Sequence, residues 1–475
     1  MMITLVKKEI LANILSFRFV VSTLLLLIVI PATTFILTND YLRRVDDTSL
    51  RRAEIETYMR NYAHFNRIGG ILQPEEAPIP FHALIRGLSA DANLGEFDND
   101  PLPVMFPLID LVFIVTIVMS LTALIFAYDA VSGEKEDGTL KLMLANALAR
   151  PGIILAKIAG GGLTLLIPFF LSLVVSLLVI LARPGIAWKG QDWGALAMVT
   201  LGAVFYVMLF YSLGVFISTL HQSSSSSIMT SLLVWVLLVL VIPNLSPYAA
   251  SFLAPTPSRI QVEREAARLG DTERDELGRK LQAERLSGLV ARYPILAERL
   301  SENEKKRLID QDPAAREAFA AATKAGQEAW DEANRIQSEK MAAVRREADL
   351  KEEAQTRLAR TMSMASPLAV FTYTATDLTS TGLRNQAHFS RLSRLWREEF
   401  GRYTRRRIAE LQAKDPTADW WNTAVDMSDR PRFEYREEAL GGRVSAALPG
   451  LGLLFGYGII FFALAYVSFL RYDPR

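Results

Sequence analysis

Glu134, Glu136 and Asp137 place three carboxylates within four positions, and Gly138-Thr139-Leu140 follows directly. Carboxylates so crowded on a polar loop are suited to charge-assisted pairing with a basic partner surface. Gly138 can break the preceding turn and the Thr139 hydroxyl can cap a new helix. Such a helix presents Leu140, Leu142, Met143 and Leu144 as an apolar knob until Arg150-Pro151 ends it. The chemistry on offer is docking, an acidic rim around an apolar knob, and the competing reading is a generic loop with solvated charges.

Other chemistries lack their residues. There is no cysteine, which removes disulfides, thiol catalysis and thiolate metal ligation. His64, His82, His221 and His388 are scattered and form no H-E-x-x-H zinc motif. No G-x-S-x-G elbow is present, and no G-x-x-x-x-G-K-[ST] loop that would cradle nucleotide phosphates. The 52 Lys and Arg balance 51 Asp and Glu, a net charge of +1 that gives no footprint for nucleic acid.

The acidic loop must be positioned by apolar elements, and six runs free of Asp, Glu, Lys and Arg provide them: 19–38, 111–128, 158–182, 193–220, 223–258 and 444–470. Each reaches the ~20 residues needed to cross a hydrocarbon core of about 30 Å, and the lack of alternation favours helices over barrel strands. The expected spans are 19–38, 104–128, 153–182, 193–220, 228–253 and 444–470, with 129–152 as the loop between the second and third. Residues 1–18 set Ile3, Leu5, Val6, Ile10, Leu11, Ile14, Leu15 and Phe17 beside Lys7, Lys8, Glu9 and Arg18, the pattern of an amphipathic helix lying on membrane lipids. The fold expected is therefore an all-α polytopic membrane protein.

Two long polar segments, 39–102 and 254–443, then share one side of the membrane. The second is rich in Ala, Glu, Arg, Lys and Gln from 259 to 362, broken only by Pro294 and Pro313, and should be a mainly helical domain. A helix over 327–362 would project roughly 54 Å, as an arm or hairpin with a partial seam of Trp330, Ala333, Met341, Val344, Ala348, Leu358 and Met362. Further on, Phe389, Leu392, Trp396, Phe400, Tyr403 and Leu411 define one face of an amphipathic helix. Arg391, Arg394, Arg397, Arg402, Arg405, Arg406 and Arg407 occupy the rest. Two readings of those arginines stay open: a solvated face, or a surface that with Trp420-Trp421 meets lipid headgroups or a partner protein.

The acidic Glu134-x-Glu136-Asp137, Gly138-Thr139-Leu140, the apolar turn, Arg150-Pro151 and Lys157 together resemble the cytoplasmic loop after the second helix of ABC-2 type permeases. The likeness extends to the order and spacing of all six spans, and the large insert before the last span is similar to members with an extracytoplasmic domain there. The resemblance implies cytoplasmic N- and C-termini in a bacterial plasma (inner) membrane. It also implies a second permease subunit, identical or not, and separate ABC ATPase subunits that bind ATP and Mg, so that this chain is not itself the enzyme. Glu134, Glu136, Asp137, Gly138, Thr139, Leu140, Leu142, Met143 and Arg150 would couple the two. An exporter is expected; the alternative is a mechanotransmission or signalling complex that moves its external domain without passing substrate. Asp110, six residues into the second expected span, is a candidate pathway residue by default, against the alternative that it reaches the interface or pairs with an external arginine.

Overall fold

The computed structural model describes residues 2–87, 109–145, 150–268, 272–298, 300–415 and 418–472, which form helices and no strand. We label the helices in chain order: α1 Met2–Ile14, α2 Phe17–Asn61, α3 Leu111–Glu136, α4 Thr139–Ala145, α5 Arg150–Leu181, α6 Gly190–Leu220, α7 Ser224–Leu253, α8 Arg259–Arg268, α9 Thr272–Val290, α10 Glu302–Gln311, α11 Pro313–Ser363, α12 Pro367–Leu378, α13 Leu383–Lys414 and α14 Leu440–Leu470. Six of these, α2, α3, α5, α6, α7 and α14, are long and apolar enough to cross a membrane. The chain divides into one unit of 1–243 with 364–475 and a second of 244–363.

In the first unit α6 is the central post, with α14, α3 and α12 packed around it. Tyr206, Phe210 and Tyr211 are fully buried there. Small residues allow this closeness: a Cβ on Gly161 would fall 1.8 Å from the Tyr211 hydroxyl, and one on Gly214 would fall 2.6 Å from Ala127 Cβ. Lipid offers no hydrogen bonds, so buried polar groups find partners inside the bundle. Tyr206 donates to the Thr116 carbonyl at 2.9 Å, where α3 is π-helical over Ile114–Met119, and Trp235 Nε1 donates to Ser120 Oγ at 2.8 Å. A π-helical turn displaces carbonyls from the regular ladder, which suits them to accept from a neighbouring helix.

Span ends differ from expectation by a few residues, except at two places. The helix that carries the first expected span does not stop with it at Thr38: α2 runs unbroken for 45 residues, about 68 Å, because nothing in Asp40 to Asn61 interrupts a helix. Its far end packs Met59 and Ala63 against Phe65, Ile68 and Met427, with Phe400, Ile408 and Leu411 of α13 alongside. The extended strap 425–438 binds the two helices: Met427 N donates to Met59 O at 2.9 Å, and Arg430 pairs with Glu56 at 2.8 Å. These elements form a stalk on the side opposite the chain termini. Trp420 and Trp421 belong to it, Trp421 edge-on to Phe65 and Trp420 Nε1 donating to Asp415 O at 3.0 Å.

The second departure is α12, twelve residues expected to lie in the domain over 254–443 and found instead inside the helix bundle. Ser366 Oγ donates to Leu238 O, the Tyr457 hydroxyl donates to Met364 O at 2.9 Å, and Arg443 Nη1 donates to Leu378 O at 3.2 Å. Residues 364 and 378 thus lie level with 457 and 443 of α14. The 12-residue rise of about 18 Å matches the roughly 21 Å between those two levels. Pro367 in the first turn starts the helix where a missing N–H costs nothing, and Ala369, Val370, Phe371, Thr374 and Ala375 are buried. The segment therefore re-enters the bundle, and it escapes detection by hydropathy because it is short and carries three threonines.

The second unit is built on α11, 51 residues or about 77 Å long, starting at Pro313. It packs along α9, with Gly326 against Gln282, and its buried positions Ala315, Ala318, Gly326, Ala329 and Ala333 are small residues that let helices approach. Arg285 bridges to Glu328 at 3.0 Å and also to Glu332, and Lys340 pairs with Glu273 at 3.2 Å. The expected hairpin is present, with Ala333 buried in its seam and Trp330 packed on Gly278 of α9, while the rest of the buried positions are small residues.

Candidate functional site

The acidic loop is assembled from residues far apart in sequence. At its entry the Ser218 hydroxyl accepts from Val131 N at 3.0 Å and Ser132 N at 2.9 Å, which satisfies amides left bare where α3 turns at 128–131. Lys135 Nζ donates to Thr219 O at 2.6 Å and His221 O at 3.0 Å, the free carbonyls at the end of α6. At the exit Arg150 donates to Leu470 O at 3.0 Å and Tyr472 O at 3.1 Å, tying the start of α5 to the end of α14. The loop is clamped at three corners by side chains acting on helix ends.

Beneath it lies a buried ion cluster. Lys157 Nζ is 2.7 Å from Glu134 Oε1 and 3.4 Å from Glu9 Oε1 of α1, and its side chain is 4% exposed. Beside it Arg18 pairs with Asp129 at 2.7 Å and donates to the Tyr128 hydroxyl at 3.0 Å. The N-terminal helix is therefore fastened to α5 and to the loop by charge as well as by apolar contact.

This geometry corrects several assignments. Glu134 turns inward and is held by Lys157 instead of standing free on the loop surface. Glu136 is exposed, yet accepts from Ser224 N at 3.0 Å and so caps α7. Thr139 does not supply the cap: α4 already begins at Thr139, and its hydroxyl donates to Glu134 O at 3.4 Å while Gly138 makes the break at φ +73°. Leu140 is fully buried and Met143 is half-buried against the core. What faces outward is Asp137, Gly138, Thr139, Lys141 and Leu142, the last 68% exposed. The side chain of Leu144 lies outside the described residues.

Asp110 is not six residues inside a span. It is the residue before α3, and 104–108 lie outside the described residues. Its Oδ1 accepts from Phe113 N at 2.8 Å and its Oδ2 from Arg86 N at 3.1 Å. The side chain is an N-cap that also pins the loop of 79–87 onto the bundle. No group of three or more metal-ligating side chains occurs among the described residues.

Charged partners such as Glu9, Arg18 and Lys157 escaped a reading by runs. A lysine inside an apolar helix and a lone glutamate on an apolar N-terminal helix are the signal that could have paired them, since buried charges require partners.

Six spanning helices, a re-entrant helix and a braced polar loop define a polytopic permease-type membrane protein. The chain belongs to the ABC-2 transporter family: the family described as "ABC-2 family transporter protein" matches over residues 3–474. It is similar to a probable ABC transporter permease protein NosY of Stutzerimonas stutzeri, 32% identical over 160 residues that cover 33% of this chain and 54% of that protein. It is also similar to the probable ABC transporter permease protein NosY of Pseudomonas aeruginosa, 32% identical over 126 residues, 26% of this chain and 46% of that protein. The chain thus spans about half the length of the curated relatives it matches.

Proposed function

We propose that the chain is the membrane subunit of an ATP-driven exporter in a bacterial inner membrane, with its termini and the Asp137–Leu142 surface in the cytoplasm. Separate ATPase subunits binding ATP and Mg dock on that surface, and a second permease subunit completes the membrane part. The observation that carries this reading is the exposed Leu142 and Asp137 on a loop braced to α1, α5, α6 and α14. A push on such a loop is passed to four helices at once, because packed elements move as bodies.

The test is co-purification with the ATPase and ATP turnover of the complex. Leu142→Asp and Asp137→Arg should weaken both while the membrane subunit keeps its thermal stability, and unchanged association in both variants would sink the proposal. Orientation is checked independently: a cysteine replacing Asp137 should be shielded from an impermeant thiol reagent in intact cells, and one replacing exposed Tyr62 should label.

A second reading, a mechanical device, is favoured by α2, a single rod from the membrane into the stalk. Replacing residues 259–362 with a flexible linker leaves the bundle and stalk in place and separates the two. Complete loss of function with persistent ATP hydrolysis supports the mechanical reading, and retained transport supports the exporter.

A further inference from the structure

The stalk helix α13 has two faces. Trp396, Phe400, Tyr403, Ile408 and Leu411 turn inward, where Trp396 Nε1 donates to Pro431 O at 3.0 Å and Tyr403 donates to Asp429 Oδ1 at 2.6 Å. On the opposite side Arg391, Arg394, Arg402, Arg405 and Arg406 are all exposed. At about 100° per residue they fall within an arc of roughly 120° and extend about 22 Å along the axis.

Elsewhere on the stalk arginines are engaged: Arg384 with Glu438 at 2.6 Å, Arg430 with Glu56 at 2.8 Å and Arg407 with Glu410 at 3.5 Å. Arg394, Arg402, Arg405 and Arg406 carry no ion pair among the described residues, although Glu398 and Glu399 stand nearby on the same helix. Leu395, 55% exposed, sits within the strip.

Height above the membrane decides which anion such a strip can meet. The apolar run of α2 ends at Thr38, and Met59, which packs with Phe400 and Ile408, lies 21 residues further along an unbroken helix. That is about 32 Å, and still about 24 Å at a tilt of 40°. The headgroup layer adds only some 5–7 Å beyond the hydrocarbon, and screening removes surface fields within about 8–10 Å. Lipid phosphates therefore lie out of range of Arg402, Arg405 and Arg406.

We propose that this face docks a separate protein with a carboxylate-rich surface, on the side of the membrane opposite the chain termini. Guanidinium forks match carboxylates in paired hydrogen bonds, and exposed Leu395, on the same face as Arg391, Arg394 and Arg402, adds an apolar contact beside the charged strip. The inference stands apart from ATPase coupling, which concerns the other side.

The full chain in nanodiscs of zwitterionic lipid should bind fluorescent poly-L-glutamate with an affinity that falls as salt rises. Changing Arg402, Arg405 and Arg406 together to Glu should weaken binding at least tenfold. The matched change of Arg345, Arg346 and Lys351 to Glu should leave it within twofold, which controls for overall charge. In intact cells a photo-crosslinking residue at position 395 should give a discrete acidic protein adduct that the Arg402/Arg405/Arg406 reversal removes. Equal effects of the two reversals, or adducts to lipid alone, would overturn the proposal.

Discussion

Lys157 Nζ lies 2.7 Å from Glu134 Oε1 and 3.4 Å from Glu9 Oε1, so one buried ammonium holds the polar loop, α5 and the N-terminal helix together. Two carboxylates around one cation leave the cluster anionic on its own, and Glu134 Oε2 has no protein partner. Such an arrangement is costly to break from either side, since removing one member strands the others in a low-dielectric setting.

Lys157→Met should therefore lower stability by about 3 kcal/mol, read as a drop in thermal midpoint in detergent. The double variant Lys157→Met with Glu134→Gln should recover part of that loss, because the nearer of the two stranded carboxylates is gone. A double variant no better than the single one would show that the pair is not coupled.

Leu140 and Leu142 are two residues apart and face opposite ways, one fully buried and the other 68% exposed. Leu140→Asp should destabilise by about 3 kcal/mol or more, since it buries an unpaired charge. Leu142→Asp should stay within about 0.5 kcal/mol of the parent. Comparison of the two melting curves checks the orientation of α4 directly.

Asp110 accepts from two backbone amides on either side of a loop junction. Asp110→Ala should cost about 1–2 kcal/mol through loss of the cap, and Asp110→Asn clearly less, because one amide oxygen can still accept. If Asp110→Asn instead abolished activity at unchanged stability, Asp110 would be a pathway residue and not a structural cap.

His82 sits in the loop of 79–87 outside the spans, and burial, followed by Arg44 and Arg86, holds its imidazole down at about 4. The unfolded chain takes up this proton near pH 6.5, while the folded one does so only near 4. Stability is therefore complete above about 6.5 and is lost progressively as pH falls towards 4, by up to about 3 kcal/mol. Relative to His82→Phe, the parent should show thermal midpoints that decline over this window and no change in the difference above it. A constant difference from pH 4 to 8 would contradict the burial of a neutral ring.

The number of apolar helices long enough to span, the presence of an N-terminal helix and the helical hairpin were legible in the sequence, because hydropathy and helix propensity are local properties that sum along a run. The acidic loop could be located by its charges and its Gly138 break. Which of its side chains face out could not, since that depends on Lys157 lying 23 residues beyond Glu134 and on Ser218 and Thr219 from another helix.

Tertiary structure alone decided three further features. It carried α2 past the membrane into a stalk, where the partners of Met59 and Glu56 are Met427 and Arg430, more than 360 residues away. It drew α12 into the bundle against Tyr206 and Tyr457, a helix too short and too rich in threonine for any apolar window to register. It also made Asp110 the cap of α3, and not a residue within it, by beginning that helix at Leu111. Each outcome turns on which distant group satisfies a buried amide, carbonyl or charge, and that pairing is a property of three-dimensional packing that no stretch of sequence contains.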